Sequence, residues 1–436
     1  LPVDARTLPN GLKVFVLPRR ELPIVALDCF AEAGARFETA QNAGVAGLTG
    51  QMLSEGTTKR TFGEVADAIE QVAGEIGSDA TGPSVEVLSK DFALGLELFA
   101  DAIRRPAFRA DDFDRKQKEA LSEIEKEEED PEFQISRKFR EIVYGKHPFS
   151  RSARGTRTSV SRLTADDCRA WHAKYFVPSN IRISIVGDVD VESAHRAAAK
   201  AFGDWAGPAV EFPKIPAPPQ AAAARVHIPT EREQIYMVAG HLGISRTDPD
   251  YPVLRVFDGV FGTGSGFTDR LSRRIRDAEG LAYTVYATIA ADAGAERGTF
   301  HAMAGLEPEK LDRVLGEIRE EIDRIRSAPP TEGELAGAKA VLLGELAFAL
   351  ETNGRLAVAI LEWDRFGLGF DYPAKFRRAV EAVTADDVRR AAEKHLHPDR
   401  IVVVTTGPTP TPAKPPGKPT EKPPAKPPGK KAGKQP

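Results

Sequence analysis

Histidine, cysteine and clustered carboxylates are the side chains that could hold a metal or move a proton, and here few are spaced to act together. Eight histidines occur in the 436 residues. His395 and His397 are the one close pair, and they take the place that Tyr175-Phe-Val177 holds in a similar earlier segment, which points to a structural position. His241, in Ala239-Gly-His-Leu-Gly243, reads as a hydrogen-bonded strand histidine. Cys29 and Cys168 are too far apart in sequence to make a metal motif and require no disulfide. Glu123 to Asp130 is almost continuously acidic and reads as a solvated helix end. Gly259-Val-Phe-Gly262-Thr-Gly264-Ser-Gly266 is rich in glycine, but no Gly-Lys-Ser/Thr follows and no parallel βαβ pattern surrounds it, so it is not a phosphate loop. It reads as a turn before a helix that starts near Arg270 and ends at Gly280, a residue able to take the left-handed conformation of a helix end. That places Arg276 on the last helical turn and Tyr283 on the strand that follows.

A duplicated pattern positions these residues. Leu163-Thr-Ala-Asp-Asp-Cys-Arg169, with Lys174, Pro178, Ile181 and Gly187, matches Val383-Thr-Ala-Asp-Asp-Val-Arg389, with Lys394, Pro398, Ile401 and Gly407, at a constant offset of 220 residues. Each copy reads as a threonine-capped helix, a proline-marked turn and a β-branched strand ending at glycine, over 181–186 and 401–406. A gapless repeat of this kind predicts two homologous domains. Strands are also expected over 12–16 and 24–30, and amphipathic helices over 62–72 and 311–325. The fold class expected is α+β, with strands paired largely antiparallel. Pro213, Pro216, Pro218 and Pro219 followed by alanines mark an extended, poorly packed linker over 208–224. The domains are therefore 1–207 and 225–407, with a separate tail over 408–436.

Composition excludes several classes. Hydrophobic residues at 41% and charged residues at 28% are ordinary for a globular protein. No apolar run approaches the roughly 20 residues that would span a membrane. The net charge is −4, yet the tail alone carries seven lysines and one glutamate. The remainder is distinctly acidic and has no nucleic-acid footprint. Eleven prolines in that tail predict an extended, disordered polyproline-like segment, either an inert solubilising tail or a weak adhesive for anionic surfaces. The chain opens on Leu1 and not methionine, consistent with a removed targeting segment, and an extracytoplasmic, periplasmic location is expected, with the cytoplasm as the alternative.

Two stretches carry a resemblance to a known family. Ala33-Gly-Ala-Arg36-Phe-Glu38, then Gly44-Val-Ala-Gly-Leu-Thr-Gly-Gln-Met52, then Gly56-Thr57 resembles the pitrilysin, insulinase and mitochondrial processing peptidase family of zinc metallopeptidases. There the central run reads G-x-A-H-F-L-E-H-M. Two histidines four apart on a helix hold zinc, and the glutamate between them takes a proton from the metal-bound water. Aligned without a gap, Gly47 and Gln51 stand where the histidines belong and Gly50 stands where the base belongs. Glu123, in Leu121-Ser-Glu-Ile, occupies the position of the family's third ligand. Glycine has no side chain and glutamine is a neutral amide, so the resemblance implies no catalytic zinc here. Glycine at 44, 47 and 50 also has a plainer reading, a helix loosened, or stripped on one face so that another backbone can approach.

The second stretch keeps its pattern. Arg270-Leu271, Arg276, Gly280-Leu281 and Tyr283 follow the family's R-L-x-x-x-x-R-x-x-x-G-L-x-Y closely. By resemblance, Arg276 and Tyr283 reach across a clamshell and hold the substrate. A permanently charged guanidinium and a phenolic donor can grip a peptide carbonyl and its developing oxyanion. Gly262, Gly264 and Gly266 resemble a shorter version of the substrate-handling glycine loop of the processing peptidase's non-catalytic subunit, beside the plainer reading as a flexible turn. The resemblance further implies an antiparallel sheet with helices on one face in each domain, the two domains forming half of a clamshell. It implies a chain inactive alone, holding no cofactor of its own, which serves as the substrate-binding subunit of a heterodimer. The zinc is expected in a catalytic partner with an intact H-x-x-E-H, acting on peptide substrates. The competing expectation is a structural subunit without proteolytic role.

Overall fold

Two sheets organise the chain, and the same strand order builds both. The structure is a computed structural model and describes residues 1–409. The tail expected over 408–436 lies outside the described residues from position 410 onward. The first half contributes β1 (Asp4–Thr7), β2 (Lys13–Pro18), β3 (Ile24–Ala31), β4 (Glu75–Asp79), β5 (Gly82–Leu88) and β6 (Ile181–Gly187). The second contributes β7 (Ala224–Pro229), β8 (Ile235–Leu242), β9 (Ala282–Thr288), β10 (Thr299–Leu306) and β11 (Val402–Gly407). Their orders are β1-β2-β6-β3-β5-β4 and β7-β11-β8-β10-β9. Apart from the extra edge strand β1, one order maps onto the other element by element. In each half the last strand inserts parallel to the first of the shared set, β6 beside β2 and β11 beside β7, and all other pairs are antiparallel.

The helices of the first half are α1 (Val45–Met52), α2 (Phe62–Glu70), α3 (Phe92–Arg104), α4 (Ala110–Glu129), α5 (Pro131–Tyr144), α6 (Arg157–Val160), α7 (Ala165–Tyr175) and α8 (Val191–Phe202). Those of the second are α9 (Tyr251–Phe261), α10 (Leu311–Ser327), α11 (Glu332–Ala349), α12 (Asn353–Arg365), α13 (Tyr372–Ala382) and α14 (Ala385–His395), with a short π-helix, Ser272–Ala278, between α9 and β9. The repeated Thr-Ala-Asp-Asp is a capping box in both places. The Thr164 hydroxyl accepts from the Asp167 amide at 3.3 Å while the Asp167 carboxylate accepts from the Thr164 amide at 2.9 Å. Thr384 and Asp387 repeat this at 3.1 and 2.8 Å. Such a cap contributes about 1 kcal/mol.

Each sheet has two buried faces, and a helix from the other half covers one of them. Val14, Val16, Leu27, Ile183 and Ile185 pack against α1, α3, α7 and α8 of their own half. On the opposite face Phe15, Leu17, Ala26 and Val186 meet Leu356, Ile360, Leu361 and Trp363 of α12. The exchange is reciprocal. Ile135, Phe139, Val143 and Tyr144 of α5 cover Val238, Leu242, Met303, Val402 and Val404 of the second sheet. Burial on both sides explains why β6 and β11 read as nearly continuous apolar runs. At about 1.5–3 kcal/mol for each large apolar side chain buried, the crossing helices are a principal part of the stability of both sheets. The helices expected on one face are therefore joined by one from the opposite half on the other. The segment expected as a linker over 208–224 runs largely exposed up to β7. It has no regular secondary structure before β7, but Phe212 rests on Phe37 with ring centres 4.9 Å apart.

Candidate functional site

α1 begins from a residue that only glycine suits. Gly44 has φ +97° and is the helix N-cap. Its amide and that of Ala46 donate to the two carboxylate oxygens of Glu38 at 3.0 and 2.8 Å. Burial pushes the Glu38 carboxyl up to about 7, against the pull of those two amides and of Arg151. Along the helix the glycines part company. Gly47 is half-buried and roomy, since a Cβ there would meet nothing nearer than the Ala153 carbonyl oxygen at 3.8 Å. Gly50 is buried, and a Cβ would lie 2.2 Å from the carbonyl carbon and oxygen of Asp79 and 2.4 Å from the Ala80 amide nitrogen. The turn between β4 and β5 thus fills the space that a base at position 50 would need. Glu123 is exposed on α4, and its hydrogen bond from Lys126, 2.8 Å away, holds its carboxyl below the usual range.

These residues do not fit a zinc centre. Positions 47 and 50 offer no donor, Gln51 offers a neutral amide, and Glu123 is engaged by an ammonium. A lone carboxylate does not make up the tetrahedral set of nitrogen, sulfur and oxygen ligands that zinc takes. Among the described residues the one group of three with metal-ligand spacing lies elsewhere, at Asp248, Asp250 and His395. There the Lys394 ammonium and the His395 Nε2 already share one Asp250 oxygen at 2.6 and 2.7 Å. His241 and His397 are also tied into the fold. The His397 amide donates to His241 Nε2 at 3.0 Å, so His241 Nδ1 carries the proton it gives to the Leu242 carbonyl, and burial lowers the imidazole pKa to about 4.

The arginine-rich segment is built as the sequence suggests, with one addition. Asp269 accepts from the Ser272 amide and hydroxyl, both at 2.8 Å, and opens the π-helix. Gly280, at φ +58°, closes it, with the Leu281 amide donating to the Ile275 carbonyl at 2.8 Å. π-Turns are rare and concentrate at functional sites. Arg270 makes a two-pronged bond to Glu334 at 2.8 and 3.0 Å. Burial opposes ionisation of Glu334, but Arg270 and the Thr331 amide still hold it at about 2. Arg274 is held by Glu317, Glu320 and Glu321 of α10.

Arg276 is different. Its nearest carboxylate is Asp277 at 3.9 Å, and its guanidinium lies instead 3.8 Å from the Phe267 ring centre and 5.8 Å from that of Tyr283. Tyr283 sits on β9, an edge strand, and is 83% exposed. The structure therefore brings Arg276 and Tyr283 together, on an open surface and not inside a closed cavity. Phe267 is the member that sequence reasoning missed; its place directly after Gly266 was the available signal. The three glycines separate as well. Gly262 and Gly264 sit against backbone, with a Cβ falling 2.4 Å from the Ala287 amide nitrogen and 2.6 Å from that of Asp269. Gly266, at φ +68°, faces open space.

Two sheets of matching strand order, each flanked by helices, define a two-domain α+β chain. Residues 15–157 match the family description "Insulinase (Peptidase family M16)" and residues 162–342 match "Peptidase M16 inactive domain". The chain belongs to peptidase family M16. An uncharacterized zinc protease of Streptomyces coelicolor is 28% identical over 408 residues, which is 89% of this chain and 86% of the relative. One from Mycobacterium leprae is 26% identical over 406 residues, 90% and 88% of the two chains. Among solved structures, a peptidase M16 inactive domain from Pseudomonas fluorescens superposes with a TM-score of 0.88 at 28% identity, covering 95% of this chain and 100% of that one. A protease from Helicobacter pylori shares the fold at a TM-score of 0.85 and 18% identity, covering 93% and 99%.

Proposed function

We propose that this chain is the zinc-free, substrate-binding subunit of a heterodimeric zinc metalloendopeptidase. A partner with an intact H-x-x-E-H supplies zinc and base, and this chain supplies Arg276 and Tyr283. The observation that carries the reading is the contrast within one short segment. Arg270 and Arg274 are held at close range by carboxylates, whereas Arg276 has only a long contact with Asp277, at 3.9 Å, and lies beside an exposed phenol. A permanent cation braced on an aromatic ring, next to a hydrogen-bond donor, suits a peptide carbonyl that gains negative charge in the transition state. The absence of imidazole and carboxylate at positions 47, 50 and 51 of α1 supports a division of labour between two chains, and the open surface around the pair suits closure by a second subunit.

Reconstitution tests this. Purified together with an H-x-x-E-H subunit, the chain raises peptide hydrolysis, and Arg276→Ala or Tyr283→Phe lowers turnover by about 10²-fold with dimer formation unchanged. Unaltered turnover in both variants with the heterodimer intact would leave a scaffolding subunit as the better account. Metal analysis is the second arm: stoichiometric zinc and hydrolysis by this chain alone would overturn the proposal.

A further inference from the structure

A cavity of about 450 Å³ opens beside the N-terminal end of α1, between the residues after β3, helix α5 and the 148–153 loop. Five arginines from four separate segments line it: Arg36, Arg137, Arg140, Arg151 and Arg365. Only two carboxylates face them. Glu32 is committed to Arg365, 3.0 Å away, and Glu38 is committed to the two amides that open α1. Arg36 is paired with Glu296 of the second half at 3.1 Å, yet its Nε is buried without a partner. Among the described residues, Arg137, Arg140 and Arg151 have no carboxylate partner. Arg140 and Arg151 donate only to backbone carbonyls, of Phe149 at 3.0 Å and of Glu38 at 2.6 Å. An adjoining cavity of about 250 Å³ shares Arg137 and Arg151; of its acidic groups Glu127 is engaged by Arg154 and Glu141 by Lys138, while Glu128 lies 4.0 Å from Arg157, whose nearer partner is Glu125 at 3.2 Å. Positive charge is therefore in excess inside a chain whose net charge is −4.

The walls add a second requirement. Phe30, Phe133 and Phe149 line the same space. Phe30 carries the Arg365 guanidinium at 4.7 Å, and Phe149 that of Arg140 at 5.9 Å. A guanidinium set against an aromatic face is pre-organised, and its planar fork matches a planar carboxylate.

We propose that this cavity is a binding site for a carboxylate carried on an apolar body. The carboxylate takes the forks of Arg137, Arg140 and Arg151, and the apolar body lies against the phenylalanines. A free organic acid and the C-terminus of a peptide share this chemistry. The site is separate from the Arg276 and Tyr283 pair and stands whether or not that pair acts on substrate.

The test is calorimetric titration of the full chain with four probes: 3-phenylpropionate, an N-acetylated pentapeptide ending in phenylalanine as its free acid, the same peptide as its amide, and inorganic phosphate. Binding of the free acids, weakened at least tenfold in Arg137→Gln and weakened by added salt, supports the site. Phenylpropionate alone binding assigns it to small acids, and the peptide acid binding as well assigns it to peptide termini. Arg137 holds no ion pair, so its replacement leaves the fold intact, and Arg140→Gln gives an independent second reading. Arg390→Gln, on α14 and lining neither cavity, leaves affinity unchanged. Absence of binding at millimolar concentration overturns the proposal. So does equal affinity for the amide or for phosphate, or affinity for the acids that survives both cavity variants.

Discussion

Two alanine substitutions three residues apart on α1 should move stability in opposite directions. Each replaces a helical glycine, and each gains about 1 kcal/mol of helix propensity. At position 47 nothing opposes that gain, because the nearest atom to the new Cβ is an oxygen 3.8 Å away. Gly47→Ala is therefore expected to stabilise by about 0.5–1 kcal/mol. At position 50 the Cβ falls 2.2 Å from backbone atoms of Asp79, where ordinary contact begins near 3.4 Å. No side-chain rotation relieves a clash with backbone. The turn is itself anchored: the Asp79 carboxylate accepts from the Thr81 amide at 2.7 Å, the Thr81 carbonyl accepts from the Ala31 amide at 2.7 Å, and Ser78 donates to Ser54 at 2.9 Å. Overpacking of this kind costs about 1–3 kcal/mol, more where backbone must shift, so Gly50→Ala should lose about 1–2 kcal/mol after its propensity gain. The two variants then differ by roughly 1.5–3 kcal/mol, or several degrees in melting temperature. Chemical denaturation followed by circular dichroism measures both. A Gly50→Ala midpoint at or above that of the unmodified chain would refute the close approach. With it would go the inference that a catalytic base no longer fits.

Three more outcomes are expected. Glu38 has its pKa raised to about 7 from an ordinary 4.5, so its contribution is fully present below about pH 4.5 and is lost as pH rises through 7; against Glu38→Gln, the unmodified chain should lose on the order of 2 kcal/mol between pH 5 and pH 8, and a pH-independent difference in melting temperature would contradict this. Trp363→Ala removes a buried side chain from the surface where α12 meets the first sheet; it should cost about 3–5 kcal/mol, and scanning calorimetry should show one shifted transition, not the separate loss of one half. Arg270→Ala leaves Glu334, held at about 2, without its guanidinium; the loss should be of order 2 kcal/mol at pH 7 and shrink as pH falls from about 4.5 toward 2, where the paired carboxylate itself protonates.

The elements that sequence reveals are those fixed by neighbouring residues. The two Thr-x-x-Asp boxes, the strands expected over 181–186 and 401–406, and the helix end at Gly280 are local signals, and each lies within a residue of where the sequence places it. The antiparallel expectation was right for most pairs, but nothing local to β2 or β7 announces that a strand from far along the chain will enter beside it in parallel. The same limit hid the helix exchange. The apolar stripe on α5 shows that the helix must bury Ile135, Phe139 and Val143, and is silent about which sheet receives them. At the site, Arg276 and Tyr283 could be paired because seven residues of helix end and turn link them. Gly50 was recognisable as a gap but its filler was not, because Asp79 approaches from another hairpin. The arginine cavity is assembled from four segments and has no signature in any one of them.

The crossing of α5 and α12 bears on how such a chain could arise and how it can be divided. These helices occupy equivalent places in the two repeats, so one repeat in isolation would leave a sheet face bare and an apolar helix with nothing to cover. Two identical copies would satisfy each other by trading that helix about a twofold axis. The duplicated chain holds this swapped pair within one polypeptide. Expressed separately, the two halves should be insoluble apart and recover structure when mixed.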